Sequence, residues 1–416
     1  MVLEISQYLS VKEAVTQALA AIREPEVEVV SSRRAFGRVA AENVVSELDL
    51  PPFSTSHMDG FAIRAGDSKG ASSKKHVRLT IAGTVPIGTK PVKNLGKGEA
   101  VRVSTGSYLP SGADSVIPDE DGKIRNGRLH LFREVPSGSF VFRAGEDIRK
   151  GRLLAKKGEA IRAQDVGMLV ALAVKEVKVW RRPTVAVLAT GNELTNSMSR
   201  RTIRTRNSHA PVFLALAGAL GCKVVDLGIV PDKVNPILSG LSKGLRVADV
   251  VLMTGGTSVG KLDLGDQVLS RLRPRVLCHG LRMDRGRVAG VAVVKGKGIV
   301  MMPGPIQGAM NAFVLLGLPM IAKVSGMKDT KLTVSVKLTR PWEARKRFPN
   351  FTKVVYLRLF QTESGTFAEP LAGETESMSL LTDSSAYTVI PEHVTSIETG
   401  RVVEAHLLPG FSFSYS

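Results

Sequence analysis

The chain has 416 residues, 43% hydrophobic and 23% charged, with a formal net charge of +19. That length allows about two to four domains, the balance excludes a largely disordered protein, and no uninterrupted apolar run reaches the roughly 18 residues of a membrane span. Such a charge concentrates anions, yet lysine and arginine are spread along the whole chain and aromatics are only 5%, so a nucleic-acid partner is not expected; a generally basic surface, of the kind found in heat-adapted proteins, is.

The opening "MVLEISQYLSVKEAV" carries acids and no small-residue cleavage site, so no signal peptide is expected. Residues 8–24 repeat apolar positions at helical spacing, and Ser10 with Glu13 makes a capping box. After "PPFSTSHMDG" the pattern turns β-like. The runs "HVRLTIAGTVPIG", "GEAVRVSTGSYLPSGADSVIP" and "GRLHLFREV" are short and punctuated by Gly and Pro, which predicts a compact β-rich insert. "RAQDVGMLVALAV" reads as an amphipathic helix with Asp165 in its first turn.

From Arg182 strands and helices alternate. "PTVAVLAT", "CKVVDLGIV" and "ADVVLMTGG" are buried strands, "APVFLALAGALG" is a helix, and "KVNPILSGLSKGL" is a helix broken early by Pro236. The spacing suits right-handed crossovers, so a parallel sheet covered on both faces is expected, ending near "VLLGLPMIAKVSG". From about Lys328, "KLTVSVKLTR", "TKVVYLRLF", "AYTVIP" and "RVVEAHLL" predict a small all-β domain. Cys222 and Cys278 have no metal-ligand spacing; they read as buried thiols in a reducing compartment, with the cytoplasm as the expected location.

In an open α/β sheet, ligands bind beyond the carboxyl ends of the strands. Glu193 in "ATGNEL" follows the first strand, Asp232 in "IVPDKV" the second, and "MTGGTSVGKLD" the third. The last loop offers Gly255 and Gly256 for close backbone approach, the hydroxyls of Thr254, Thr257 and Ser258, then Gly260 and Asp263. It is neither a Walker A loop nor GxGxxG, and a tight strand-to-helix turn explains it equally well. Three acids at one sheet edge need a positive partner. A hydrated Mg²⁺ held by one or two of the carboxylates Glu193, Asp232 and Asp263 plus substrate phosphate is the economical answer, against the alternative of unrelated caps and surface acids.

Six stretches in order, "PPFSTSHMDGFAIRAGD", "GEAVRVSTGSYLPSGADSVIPDED", "FRAGEDIRKGRLLAKKGEAI", "RRPTVAVLATGNEL", "TGGTSVGKLD" and "MMPGP", make the chain resemble the molybdopterin molybdenumtransferases of the MoeA and gephyrin E-domain type over almost its whole length. The resemblance implies a multidomain α/β plus β subunit, elongated and in four parts. These are a discontinuous N-terminal helical linker domain (residues 1–50 and 140–180), a β-rich insert (51–139), a three-layer α/β molybdopterin-binding domain (181–326) and a C-terminal β-barrel (327–416). It further implies a homodimer in which the insert of one subunit meets the α/β domain of the other. The implied reaction is Mg²⁺-dependent insertion of molybdate or tungstate into adenylylated molybdopterin, with release of AMP. A molybdopterin adenylyltransferase and acceptor molybdoenzymes would be partners, with no membrane. A non-catalytic molybdopterin-binding paralogue is the alternative.

Carried over by position, the resemblance makes Asp59, Asp147, Glu193, Asp232 and Asp263 catalytic. It makes Thr105, Asn207, Thr254, Gly255, Gly256, Thr257, Ser258, Gly260, Arg287, Pro303 and Gly304 substrate-binding. The chain also departs from the family. Where a Lys-Pro-Gly-Lys-Pro-like run grips anions, it has "MDRGRVAG"; Arg287 replaces one lysine and Asp284 reverses the charge of the other. Pro303–Gly304–Pro305–Ile306 loses an amide, Thr205–Arg206–Asn207 replaces Asp-Ser-Asn, and Lys353 stands at an expected arginine. Arg282, Arg285 and Arg287 are the residues expected to rebuild an anion pocket.

Overall fold

The computed structural model describes residues 8–91, 94–256, 264–328, 332–346 and 348–408. The first helix, Val11–Ala21, is closed by its capping box, Glu13 N–H to Ser10 Oγ at 3.1 Å and Ser10 N–H to Glu13 Oε2 at 3.2 Å. Its buried face, Val11, Ala14, Ala18 and Ala21, belongs to the core of the α/β sheet. The rest of the linker is more strand than helix, contrary to expectation. Val27–Ser31 pairs antiparallel with Glu176–Trp180, and Val44–Val45 with Leu153–Ala155. The period-two runs "VEVVS" and "EVKVW" carry that signal, half-buried on one face as in a ribbon. Helix Ala163–Ala171 forms as expected, and Asp165 takes the backbone N–H and guanidinium of Arg162.

The insert is a six-stranded sheet in the order Ser115–Pro118, Gly60–Ile63, Glu99–Val103, Val77–Val85, Arg128–Leu131, Gly122–Arg125. Phe61, Ile63, Leu79, Ile117, Leu129 and Leu131 fill its core. Gly60 has φ +156°, and a Cβ there would lie 1.9 Å from the carbonyl oxygen of Ile117 on the neighbouring strand. Only glycine fits.

The α/β domain has six strands in the order Lys223–Val230, Thr184–Thr190, Val250–Thr254, Lys297–Met302, Gly290–Val294, Val276–His279. The first four are parallel and the last two are joined on by antiparallel pairings, so that Gly290–Val294 runs against the rest and the sheet is mixed rather than all parallel. Lys295 (φ 52°) and Gly296 (φ 76°) make a two-residue turn between Gly290–Val294 and Lys297–Met302, too short for a crossover. Pro236 does not break its helix: it lies in the first turn of Val234–Val247, where a missing N–H is harmless. Helix Ile306–Ser325 passes through a π-helical turn at Phe313–Gly317; it has the length and apolarity of a membrane span, yet most of it is buried in the core.

Asp249 ties linker and sheet together. Its buried carboxylate accepts from Thr184 N–H (2.8 Å), Arg23 (2.6 Å) and Arg181 (2.9 Å). Burial pushes its pKa up, but these three donors outweigh burial and hold it below the usual carboxylate value. A depressed carboxylate stabilises the fold fully above the ordinary range of about pH 4, and that contribution is lost as pH falls through the lowered value. Asp249→Asn should therefore cost about 2–3 kcal/mol at neutral pH in denaturant titrations, a deficit that shrinks as acid protonates the wild-type group.

Thr333–Leu338, Gly365–Pro370, Lys353–Thr362, Ala386–Ile390 and Val402–Leu407 close into a barrel. Four of these strands are legible in the sequence; Gly365–Pro370 is masked by its terminal Gly and Pro. Two bridges stitch the barrel and the N-terminus to one turn of the α/β domain, Leu9 with Leu281 and Met283 with Thr352.

Candidate functional site

Three strand ends of the α/β sheet are knotted together. Thr190, the last residue of its strand, donates its hydroxyl to Asp232 Oδ1. Asn192 N–H reaches Asp232 Oδ2 at 3.2 Å, and Asp232 N–H returns to Asn192 Oδ1 at 3.2 Å. Gly255 (φ +79°) lies so close that a Cβ would stand 2.3 Å from Thr190 O, and its N–H is taken by Met302 O at 3.0 Å. Gly256 (φ +63°) packs on the Thr190 side chain, beside buried Thr254. The glycines are therefore required by packing here, whatever ligand follows. Glu193 is exposed, and its carboxylate folds back over Gly191. Thr257, Ser258, Gly260 and Asp263 lie outside the described residues.

On the same side of the sheet, Asn207 Oδ1 accepts Ala210 N–H (3.3 Å) and helps to start helix His209–Ala219. His209, which sequence reading did not single out, packs beside the backbone of Gly304, with its Nδ1 3.5 Å from Ser208 Oγ. Burial pulls its pKa down, so the imidazole is neutral at pH 7, and its Nε2 has no hydrogen-bond partner among the described residues. Thus Asn207, Pro303 and Gly304 belong to one neighbourhood.

The turn 281–288 faces the barrel. Arg285 adopts φ 51°, unusual for a side-chain-bearing residue, and its guanidinium is held by Gln307 Oε1 and Gly373 O. Gly308 permits this approach, since a Cβ there would lie 2.8 Å from Arg285 O. Arg282 pairs with Glu392 at 3.1 Å. Lys353 is buried with its ammonium on the carbonyls of Pro349, Glu392 (3.3 Å) and Val394 (2.9 Å). Burial lowers its pKa, against the pull of Asp284 and Glu392. Of the cations expected to rebuild an anion pocket, Arg282 and Arg285, like Lys353, are thus committed to protein partners. Arg287 is not: its Nε is buried without a hydrogen-bond partner among the described residues, and the guanidinium lies 5.4 Å from the Phe348 ring centre.

Two adjoining clefts open here. One of about 330 Å³ lies between the turn, Gln307 and Asn311, and the barrel residues Trp342 and Tyr356. The other, of about 370 Å³, is lined by Arg287, Pro303, Pro305, Phe348 and Thr375. Asp284, Arg285 and Arg345 line both. Arg345, which makes no ion pair among the described residues, had no signature in the sequence beyond a basic stretch near the barrel strands. Asp284 thus faces the clefts. Its Oδ1 accepts Arg285 N–H at 3.0 Å, and its backbone is fixed by Thr352 O (2.8 Å) and the Asn311 amide (3.1 Å). Burial pushes the Asp284 carboxyl above the usual range, although Arg345, Lys353 and Arg287 pull the other way.

Asp59 and Thr105 of the insert form a separate pair, and Asp147 lies in the linker. Asp59 is exposed, and its Oδ1 accepts the N–H of Thr105 at 2.8 Å. Asp147 is exposed in a turn whose N–H reaches Leu50 O at 3.2 Å. Among the described residues, no three His, Cys, Asp or Glu side chains gather as a metal-binding group. Asp232 already accepts from Thr190 and Asn192, and Glu193 folds over Gly191, so the described side chains alone do not assemble a site for a divalent ion.

Residues 9–173 match the MoeA N-terminal region (domain I and II), and residues 186–323 match a probable molybdopterin binding domain. The chain is 28% identical over 411 residues to a molybdopterin molybdenumtransferase of Staphylococcus epidermidis, covering 97% of each. It is 28% identical over 406 residues to that of Bacillus subtilis, covering 96% of this chain and 94% of the relative. Among solved structures, it is 30% identical to a molybdopterin biosynthesis MoeA protein from Pyrococcus horikosii, with a TM-score of 0.84 over 97% of this chain and 100% of the other.

Proposed function

The chain belongs to the MoeA family, and on that premise we propose that it is an enzyme of molybdenum cofactor biosynthesis that inserts molybdate or tungstate into adenylylated molybdopterin and releases AMP. The observation that carries this reading is Arg287. A buried guanidinium nitrogen with no partner among the described residues lines an open cleft beside the strand-end loops, where an α/β sheet binds its ligands. An oxyanion held there by Arg287 and Arg345 supplies the missing acceptor, and the planar fork of an arginine suits it.

The pterin substrate then lies along the strand ends, with its phosphate at the loop beginning with Gly255 and Gly256. Asp232, oriented by Thr190 and Asn192, positions the water that cleaves the phosphoanhydride; AMP leaves, and the terminal phosphate stays on the pterin. Asp59 and Thr105 from the insert, with Asp147 from the adjoining linker, complete the site from a second copy, the active form being a homodimer. The exposed Asp59 carboxylate, pinned by Thr105, suits delivery to such a neighbour. No step is routed through Mg²⁺, because the described carboxylates do not form a site for it.

The test is turnover. Purified protein given adenylylated molybdopterin with molybdate or tungstate should release AMP, followed by chromatography. Tight pterin retention with no AMP under either oxyanion would make the chain a carrier rather than a catalyst.

A further inference from the structure

Asp284 is an acid in a place that otherwise favours anions. Arg287 adjoins it on its own turn, Arg345 and Lys353 approach from the barrel, and Arg285 donates its backbone N–H to Oδ1. Glu343 lines the first cleft and Glu376 the second. Tyr356 is fully buried, its pKa raised by burial, and stays neutral as a donor to Asn311. Because Oδ1 is occupied, Oδ2 is the oxygen left to meet a ligand or carry a proton. Lys353 cannot turn toward it, since three carbonyls hold the ammonium.

We propose that Asp284 couples oxyanion binding in these clefts to the uptake of a proton, so that the site accepts the dianion and a proton together. The inference rests on the oxyanion reading given above. An ionised Asp284 beside a bound dianion is a like-charge contact in a half-buried cleft; protonated, the same group becomes an O–H donor to the ligand. The desolvation that already favours its neutral form works in the same direction. Affinity is then highest in mild acid and falls as pH rises above the carboxyl's own titration, by about tenfold per pH unit. Among oxyanions, those that bring their own proton are favoured over fully ionised ones at alkaline pH.

The experiment is calorimetric titration of the intact protein with molybdate and with tungstate between about pH 6 and pH 8.5, in buffers of different ionisation enthalpy. The wild type should take up about one proton per oxyanion and show the tenfold-per-unit slope, while Asp284→Asn binds with no uptake and a flat profile. Binding by the wild type without proton uptake, or a slope that persists in Asp284→Asn, overturns the proposal and leaves the oxyanion site standing. If neither protein binds either oxyanion up to about 1 mM, the oxyanion reading of the clefts fails and takes the proposal with it. The wild-type proton count decides the matter even if the variant does not fold.

Discussion

Arg287→Ala is expected to lower oxyanion-dependent AMP release by about 10²–10³-fold, some 3–4 kcal/mol of transition-state stabilisation. The Nε is already buried with no hydrogen-bond partner among the described residues, and the guanidinium lies over the Phe348 ring. A donor fixed before the substrate arrives spends nothing on reorganisation, so its removal is felt in kcat as well as in KM. Arg287→Lys keeps the charge but not the fork, and should recover only part of the loss. Pterin retention should change little in either variant, because the strand-end loops are untouched. An alanine variant within about threefold of wild type would remove Arg287 from the site.

Gly60→Ala should destabilise the insert by about 4 kcal/mol or more, at the upper end of single-substitution effects. The added methyl would meet the Ile117 carbonyl at 1.9 Å, and that oxygen belongs to backbone paired along the same sheet. The strand of Gly60 cannot yield easily, since Gly60–Ile63 is held between Ser115–Pro118 and Glu99–Val103. The residue before it is Asp59, so the substitution should also impair turnover if that carboxylate serves a neighbouring subunit. Gly66→Ala, with open space around it and an ordinary φ, is the control and should melt close to wild type. Equal melting of the two variants would show that the strand at Gly60 has room to shift.

What the sequence revealed of this architecture depended on how local the physics was. Buried strands such as Thr184–Thr190 and Val250–Thr254 are continuous apolar runs, and Ser10 with Glu13 closes a helix over three residues; both are legible. The reversal at Lys295–Gly296 is local too, and so is the antiparallel end it creates; what the sequence hides is that Lys297–Met302 then pairs in parallel with the more distant strand Val250–Thr254. The site divides in the same way. Acids after strand ends follow from the sheet rule, so Glu193 and Asp232 were legible as candidates. That Thr190 and Asn192 already hold Asp232 is a tertiary fact. So is the commitment of Lys353 to three carbonyls, and the arrival of Arg345 from the barrel beside Arg287. Asp284 was visible as a charge reversal, but only the fold shows that it lines both clefts.

The stitching of the turn at 281–284 has a mechanical corollary. Leu9 accepts from Arg282 (2.8 Å) and donates to Gly280 (3.1 Å), while Thr352 accepts from Asp284 (2.8 Å) and donates to Arg282 (2.8 Å). One short peptide is therefore gripped from both flanks, by the beginning of the chain and by the barrel. Any tilt of the barrel drags the arginines that follow, so cleft width and guanidinium placement cannot vary independently. The C-terminal barrel acts as a lever on the anion-facing wall rather than as an appendage.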